Sequence, residues 1–458
     1  MKRLICLVLM VLGLMASVHA LAQVRIDPGG VGGALIVPYW TAAGGNDSLI
    51  TIRNDSDRPT VAKLHWLDSE GQRFMSYNLY LNARAVWAGA ITVAGGSVPA
   101  LINASNACLM TDDVGAVVPM PRGSQELAVI RGSIEIIQMA TASEGFATAN
   151  PSFWTSCEDI ADFFNEGPWG QTPNAGLDQP SQTISASVNF INVAKGVMNT
   201  VAATALADFS DVAQHTSPSS EFPDLSSAVD SEMLEGQVRS LVCAPADCRV
   251  DLWPRAIDAV AAALTVTTIS ADFELLDSID GVFEWMIHRP LKHYEARIDG
   301  FAIASAGTIS HSYREGEYIL DSQGCGVPPP FTPCFGPEFP IENGLVHNGL
   351  DLTGGRDGLL DTVPTSMLAH PSRVLPGFGL GRLEAILLRG IDSGTSRLRF
   401  LLGRIGNDGR VINGEPVIAF AIQQYSNGTL VDDQAQAVLA NYRATAPVRR
   451  VLTVSDPE

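Results

Sequence analysis

Residues 32–93 are a series of short apolar runs with a period of two, each closed by a cluster of Gly, Asn, Asp or Ser. Ala34–Trp40, Ser48–Asn54, Thr60–Leu67 and Arg73–Leu81 read as strands. Between them lie Gly44-Gly45-Asn46-Asp47, Asp55-Ser56-Asp57-Arg58-Pro59 and Asp68-Ser69-Glu70-Gly71. In the third run Ala62, Leu64 and Trp66 fall on one face, Lys63 and His65 on the other. In the fourth, Met75, Tyr77, Leu79 and Leu81 alternate with Ser76, Asn78 and Tyr80. A sheet with one apolar face must cover it with a second layer, so the pattern predicts a two-sheet sandwich. The expectation is an Ig-like β-sandwich over residues 23–140, with Ile50, Ile52, Leu64, Trp66 and Leu79 inside.

The rest of the chain keeps this character. With 42 Gly and 27 Pro among 458 residues, the composition favours an all-β fold with minor helix over a helical one. A second β-rich domain is expected over 141–458, with long loops at 209–250 and 321–375. Glu126–Ile130 and Ser133–Ile137 read as two strands, Ala186–Val193 and Val197–Ala203 as a hairpin, and Ser210–Gly236 as an acidic surface loop. Helix is expected at Cys157–Phe164, at the Ala-rich run Ala256–Leu264 and at Asp432–Ala444.

Residues 1–22 have the form of a secretory signal peptide. Lys2 and Arg3 precede an apolar run, Ile5–Ala16, too short to span a membrane, and small residues allow cleavage after Ala22 or Ala20. Cleavage would leave 27 Lys+Arg against 49 Asp+Glu, a net charge of −22, which repels nucleic acid and anionic lipid. No later stretch is long and apolar enough to span a membrane as a helix. An exported chain is expected, in the periplasm, at the cell surface or secreted. Six cysteines then remain, and an even number in an exported chain predicts disulfides. Sequence proximity pairs Cys243 with Cys248 and Cys325 with Cys334, leaving Cys108 with Cys157. The spacings do not fit a zinc site.

No nucleophile elbow, His-Glu-x-x-His helix, Walker loop or dinucleotide-binding glycine pattern is present, and no catalytic residue is assigned. Asp351, Asp357 and Asp361 lie in a Gly-rich stretch and are candidate calcium ligands, although Arg356 among them opposes a cation. Solvated loop carboxylates are the plainer reading, and no other cofactor is indicated. His288 and His293 flank Arg289-Pro290-Leu291-Lys292 and would share a metal only across a bend at Pro290. Glu221, Asp224, Asp230, Glu232 and Glu235 form an acidic stretch able to contain a general acid and base, or merely a solvated loop. Trp154 and Trp169 lie in loop-like sequence and are candidate glycan contacts, with packing over the Cys108–Cys157 region as the alternative.

Several further segments carry a resemblance. Gly33-Ala34 through Val37-Pro38-Tyr39, Ser48–Asn54, Asn78-Leu79-Tyr80-Leu81 and Val86-Trp87 resemble a group of uncharacterised exported bacterial proteins. Ile134–Met139, Ile191–Gly196 and Pro416–Ala421 extend the likeness over most of the chain. The resemblance implies β-rich architecture and export, and brings no catalytic residue. The function expected is therefore a non-enzymatic structural or adhesive protein whose partner is a protein or glycan at the cell surface. The alternative is a glycan-binding or glycan-hydrolysing protein.

Overall fold

The structure is a computed structural model that describes residues 23–455 apart from 69–70, 94–97, 104, 106, 111–116, 120–129, 235, 246, 275–280, 292, 295–306, 314–315, 322–342, 347–366, 369–392, 401–402, 407–408 and 432–436. The chain is mostly β-strand, as its alternating runs dictate. The strands of its first half are β1 (Arg25–Asp27), β2 (Ala34–Thr41), β3 (Asp47–Asn54), β4 (Thr60–Asp68), β5 (Arg73–Leu81), β6 (Val86–Thr92), β7 (Ala100–Asn103), β8 (Cys108–Met110), β9 (Val117–Pro119) and β10 (Arg131–Ala142). After helices α1 (Glu144–Ala149) and α2 (Cys157–Asn165) come β11 (Leu177–Asp178), β12 (Ile184–Asn192), β13 (Val197–Ala202) and β14 (Thr204–Ala207).

These strands form two antiparallel sheets. The first has the order β1-β14-β2-β10-β4-β5-β8, with β11 also paired to β10, and the second β13-β12-β3-β6-β7-β9. The apolar faces meet as the alternation predicts: Ile50, Ile52, Leu64, Trp66 and Leu79 are all fully buried in one core, with Val37, Trp87, Ile136 and Phe190. The sandwich does not end at 140. Ile52 lies opposite Ala186 and Leu35 opposite Ala205, so β12, β13 and β14 complete both sheets. The 186–203 hairpin forms as expected, but it belongs to this sandwich and not to the following β-rich part.

β10 runs between β2 and β4 and is buried on both faces, which accounts for its near-continuous apolar sequence. At Gly132 the strands crowd together, and a Cβ there would stand 1.8 Å from the Leu67 carbonyl oxygen. Glycine is the residue that fits.

Beyond the sandwich come the hairpin β15 (Val238–Ala244) and β16 (Asp247–Trp253), then helix α3 (Ala256–Leu264), whose bounds are those the Ala-rich run predicts. One five-stranded and one four-stranded antiparallel sheet follow, built in part from Thr268–Glu274, Val282–His288, Ser393–Phe400 and Ile418–Val431. Phe273, Phe283, Trp285 and Phe400 are buried in the core of this part. Phe420 stacks on Phe190 of the sandwich, with ring centroids 6.1 Å apart. Helix was expected at 432–444, but Ala437–Ala446 is a strand paired along Ile418–Val431. A long neighbouring strand offered Val438, Leu439 and Thr445 a pairing partner, and tertiary context overrode local propensity.

Cys108–Cys157 and Cys243–Cys248 are bonded as expected, the first tying α2 to β8, the second closing the β15–β16 hairpin. The signal peptide, the Cys325–Cys334 pair and most of the 321–375 loop lie outside the described residues.

Candidate functional site

Period-two alternation puts Lys63 and His65 of β4 on the side of the first sheet away from the core. Register places Glu135 of β10 beside His65 on one flank and Ser76 of β5 on the other. Such a face would normally meet water. Here Lys63 and His65 are fully buried and Glu135 is 2% exposed, because the 209–230 segment, with His293 and Tyr294, lies over them.

The covering segment is held by hydrogen bonds between sheet side chains and loop carbonyls. Lys63 Nζ donates to Ser217 O (2.7 Å), Asn78 Nδ2 to Thr216 O (2.8 Å) and Arg73 Nη1 to Glu221 O (2.7 Å). His65 Nε2 lies 2.8 Å from Pro223 O, and a carbonyl only accepts, so Nε2 carries the proton and Nδ1 accepts from Ser76 Oγ at 2.8 Å. By the same logic His215 donates from Nδ1 to Pro173 O (2.6 Å) and accepts at Nε2 from Tyr80 OH (2.9 Å).

Glu135 is the centre of the cluster. Tyr294 OH donates to Oε2 at 2.8 Å and accepts from the Leu225 amide at 3.1 Å, while His293 Nε2 is 3.7 Å from Oε1. Burial pushes the Glu135 carboxyl up to about 7, with Asp224 adding to the rise and His293, Arg73 and the Tyr294 hydrogen bond opposing it. Burial, aided by Arg73, holds His65 well below the usual histidine range, and burial lowers His215 to about 4. Burial and the neighbouring Glu135 raise the Tyr294 hydroxyl.

A carboxyl near neutrality, a tyrosine and histidines are the inventory of acid–base catalysis. Their enclosure argues against that use, since a substrate would have to displace the covering segment. A groove of about 310 Å³ lies elsewhere, between sandwich and second part, with a mixed lining that includes Pro38, Val201, Phe420 and Val448 beside Thr204 and Thr445. The groove and the titratable cluster do not coincide.

The residues singled out in the sequence divide clearly. In the acidic stretch, Asp224 is buried against Arg73 (3.2 Å) and accepts from Ser226, while Asp230 holds Arg239 through two bonds of 2.6 and 3.0 Å. Glu232 joins the same arginine at 3.1 Å. Asp224 and Asp230 are therefore fasteners rather than solvated loop carboxylates, whereas Glu221 is exposed and Glu235 lies outside the described residues. Trp154 and Trp169 are 0% and 1% exposed in a cluster with Tyr80, Phe146, Phe153 and Phe163, beneath the Cys108–Cys157 link. Neither ring presents a face to a glycan; the packing alternative is what the structure has. His288 is buried in the second part, and His293 turns to Glu135 instead. Among the described residues no three of His, Cys, Asp or Glu gather as a metal site, and Asp351, Asp357 and Asp361 lie outside those residues.

Glu135 was not singled out by its sequence. The signal available was a lone acid and a lone glutamine in Ile134-Glu135-Ile136-Ile137-Gln138-Met139, where both faces of the strand must otherwise be apolar. No protein-family model, curated protein or solved structure matches the chain.

Proposed function

We propose that the chain is an exported, non-enzymatic structural or adhesive protein of the periplasm or cell surface, built on a sandwich that is Ig-like in its two-sheet packing. One observation carries this reading: Lys63, His65 and Glu135 of the first sheet are buried, the first two bonded to the 209–230 segment and the third to Tyr294. Such groups give rigidity and a fixed relation between the two parts, which load-bearing and display demand and turnover does not. The two disulfides suit an oxidising compartment. No helix among the described residues is long and apolar enough to cross a membrane.

Glycan binding or hydrolysis, the other function expected, rested on Trp154, Trp169 and the acidic stretch; both rings are buried, and Asp224 and Asp230 are tied to Arg73 and Arg239. Fractionation of the producing cells, with thiol alkylation before and after reduction, tests the main reading. Recovery outside the cytoplasm with Cys108, Cys157, Cys243 and Cys248 protected is expected. A cytoplasmic protein with free thiols, or a specific signal on a glycan array or hydrolase panel, would overturn it.

A further inference from the structure

The outward face of the second sheet differs from that of the first. Inward, Ile50, Ile52, Trp87, Val188 and Phe190 fill the core. Outward, register aligns Thr200, Asn189, Leu49, Ala90 and Ile102 in a row across five strands, with Ser187, Thr51 and Ala88 in the next row. Throughout β3, β6, β7, β12 and β13 only Asp47 and Arg53 are ionisable, and they stand at opposite ends of β3. In a chain of net charge −20 this is a nearly neutral face. Met198 and Val86, 56% and 49% exposed, are apolar groups left on it.

We propose that this face docks a second copy of the chain, sheet against sheet, about a two-fold axis that sets the two β3 strands antiparallel. Three features select that occupant. A strongly acidic molecule meets its own copy most readily where it carries little charge. Hydroxyl and amide side chains such as Thr51, Ser187 and Asn189 both donate and accept, so like can bond to like across the axis. Antiparallel β3 strands bring Asp47 of each copy to Arg53 of the other, two reciprocal ion pairs from one symmetry operation. Arg53 already bonds Asp55 and keeps a 60% exposed side chain. The area suffices: five strands spaced about 4.8 Å apart and about seven residues long at about 3.3 Å each give roughly 550 Å² per copy, near the roughly 1,000 Å² total of a specific interface.

Self-association does not depend on the export reading and is measured on the purified, oxidised full chain. Sedimentation velocity at about 100 μM should show a dimer with micromolar dissociation constant. Thr51→Lys, pointing outward at the centre, should give a monomer with an unchanged melting curve. Arg53→Asp should weaken association at least about tenfold, and adding Asp47→Arg to it should restore the dimer. A wild-type monomer at that concentration overturns the proposal. So does a dimer unaffected by Thr51→Lys and Arg53→Asp, or a charge-swapped pair that fails to recover.

Discussion

The two sheets of the sandwich turn opposite kinds of surface away from their common core. The first turns out Lys63, His65, Arg73 and Glu135, and these are covered; the second turns out Leu49, Thr51, Ala90 and Asn189, half-buried at most. Ionisable groups are costly to bury unless each finds a partner. The covering segment, irregular except for a single 3₁₀ turn at Leu225–Ser227, has backbone carbonyls with no ladder of their own. Each solves the other's problem: Ser217, Thr216, Glu221 and Pro223 accept from the sheet. A polar outward face is thus not by itself a solvent face. Its donors can be what makes a long loop able to settle on it.

The largest test strikes the core beneath both faces. Trp66→Ala should destabilise the protein by about 3–5 kcal/mol and disturb both surfaces together. Loss of only one face's properties in hydrogen exchange would mean that the two are less coupled than the shared core implies. Removing the link over the covered side comes next. Cys108 and Cys157 are 49 residues apart, so replacing both with alanine should cost about 4 kcal/mol in chain entropy, against about 2 kcal/mol for Cys243 and Cys248, only 5 apart. Thermal unfolding of the two double variants ranks them.

Titration separates the faces most sharply, because Glu135, His65 and His215, whose equilibria burial shifts, lie on the covered side. Glu135 has its pKa raised on folding, so its protonated form favours the folded state: its contribution is complete below about pH 4.5 and is lost as pH rises through about 7, some 3 kcal/mol in all. His65 and His215 have theirs lowered, so they favour the fold above the unfolded value near 6.5 and withdraw that support as pH falls. Stability should therefore peak at about pH 6.5 and fall on both sides. Glu135→Gln should flatten the alkaline limb and steepen the acid one, where the carboxyl opposes the two histidines between about pH 4.5 and 6.5. An unchanged alkaline limb in denaturant titrations would remove Glu135 from this role.

A pair of substitutions, one on each face, gives the contrast its control. Asp224→Ala, which strips Arg73 of a buried partner, should cost about 3 kcal/mol, whereas Thr51→Ser on the open face should stay within about 0.5 kcal/mol. Comparable losses at the two positions would erase the distinction.

Much of the fold was legible because alternation reports which side of a strand is apolar. Ile50, Leu64 and Trp66 were placed inside by that rule alone, and α3 by its alanines. Alternation is silent on what lies over the other side, so it put Lys63 and His65 opposite the core without showing that they are covered. It is also silent on distant pairing, so the 186–203 hairpin was assigned to the wrong part. Trp154 and Trp169 stood in irregular sequence, where nothing periodic tells an exposed ring from a buried one. The candidate site was the least legible feature, since Glu135, His293 and Tyr294 meet only through tertiary structure.

The pairing of β3 with β12 also dictates an order of events. Ile52 waits for Ala186, and Leu35 for Ala205. At a synthesis rate of about 5–20 residues per second, the interval is on the order of 10 s. Throughout it, β2 and β3 each expose an edge that no later part of the nascent chain has yet reached. Bare edges recruit strands from other molecules. A nascent chain stalled near residue 140 would therefore be prone to aggregate, and the emergence of residues 184–207 is the step that ends that vulnerability.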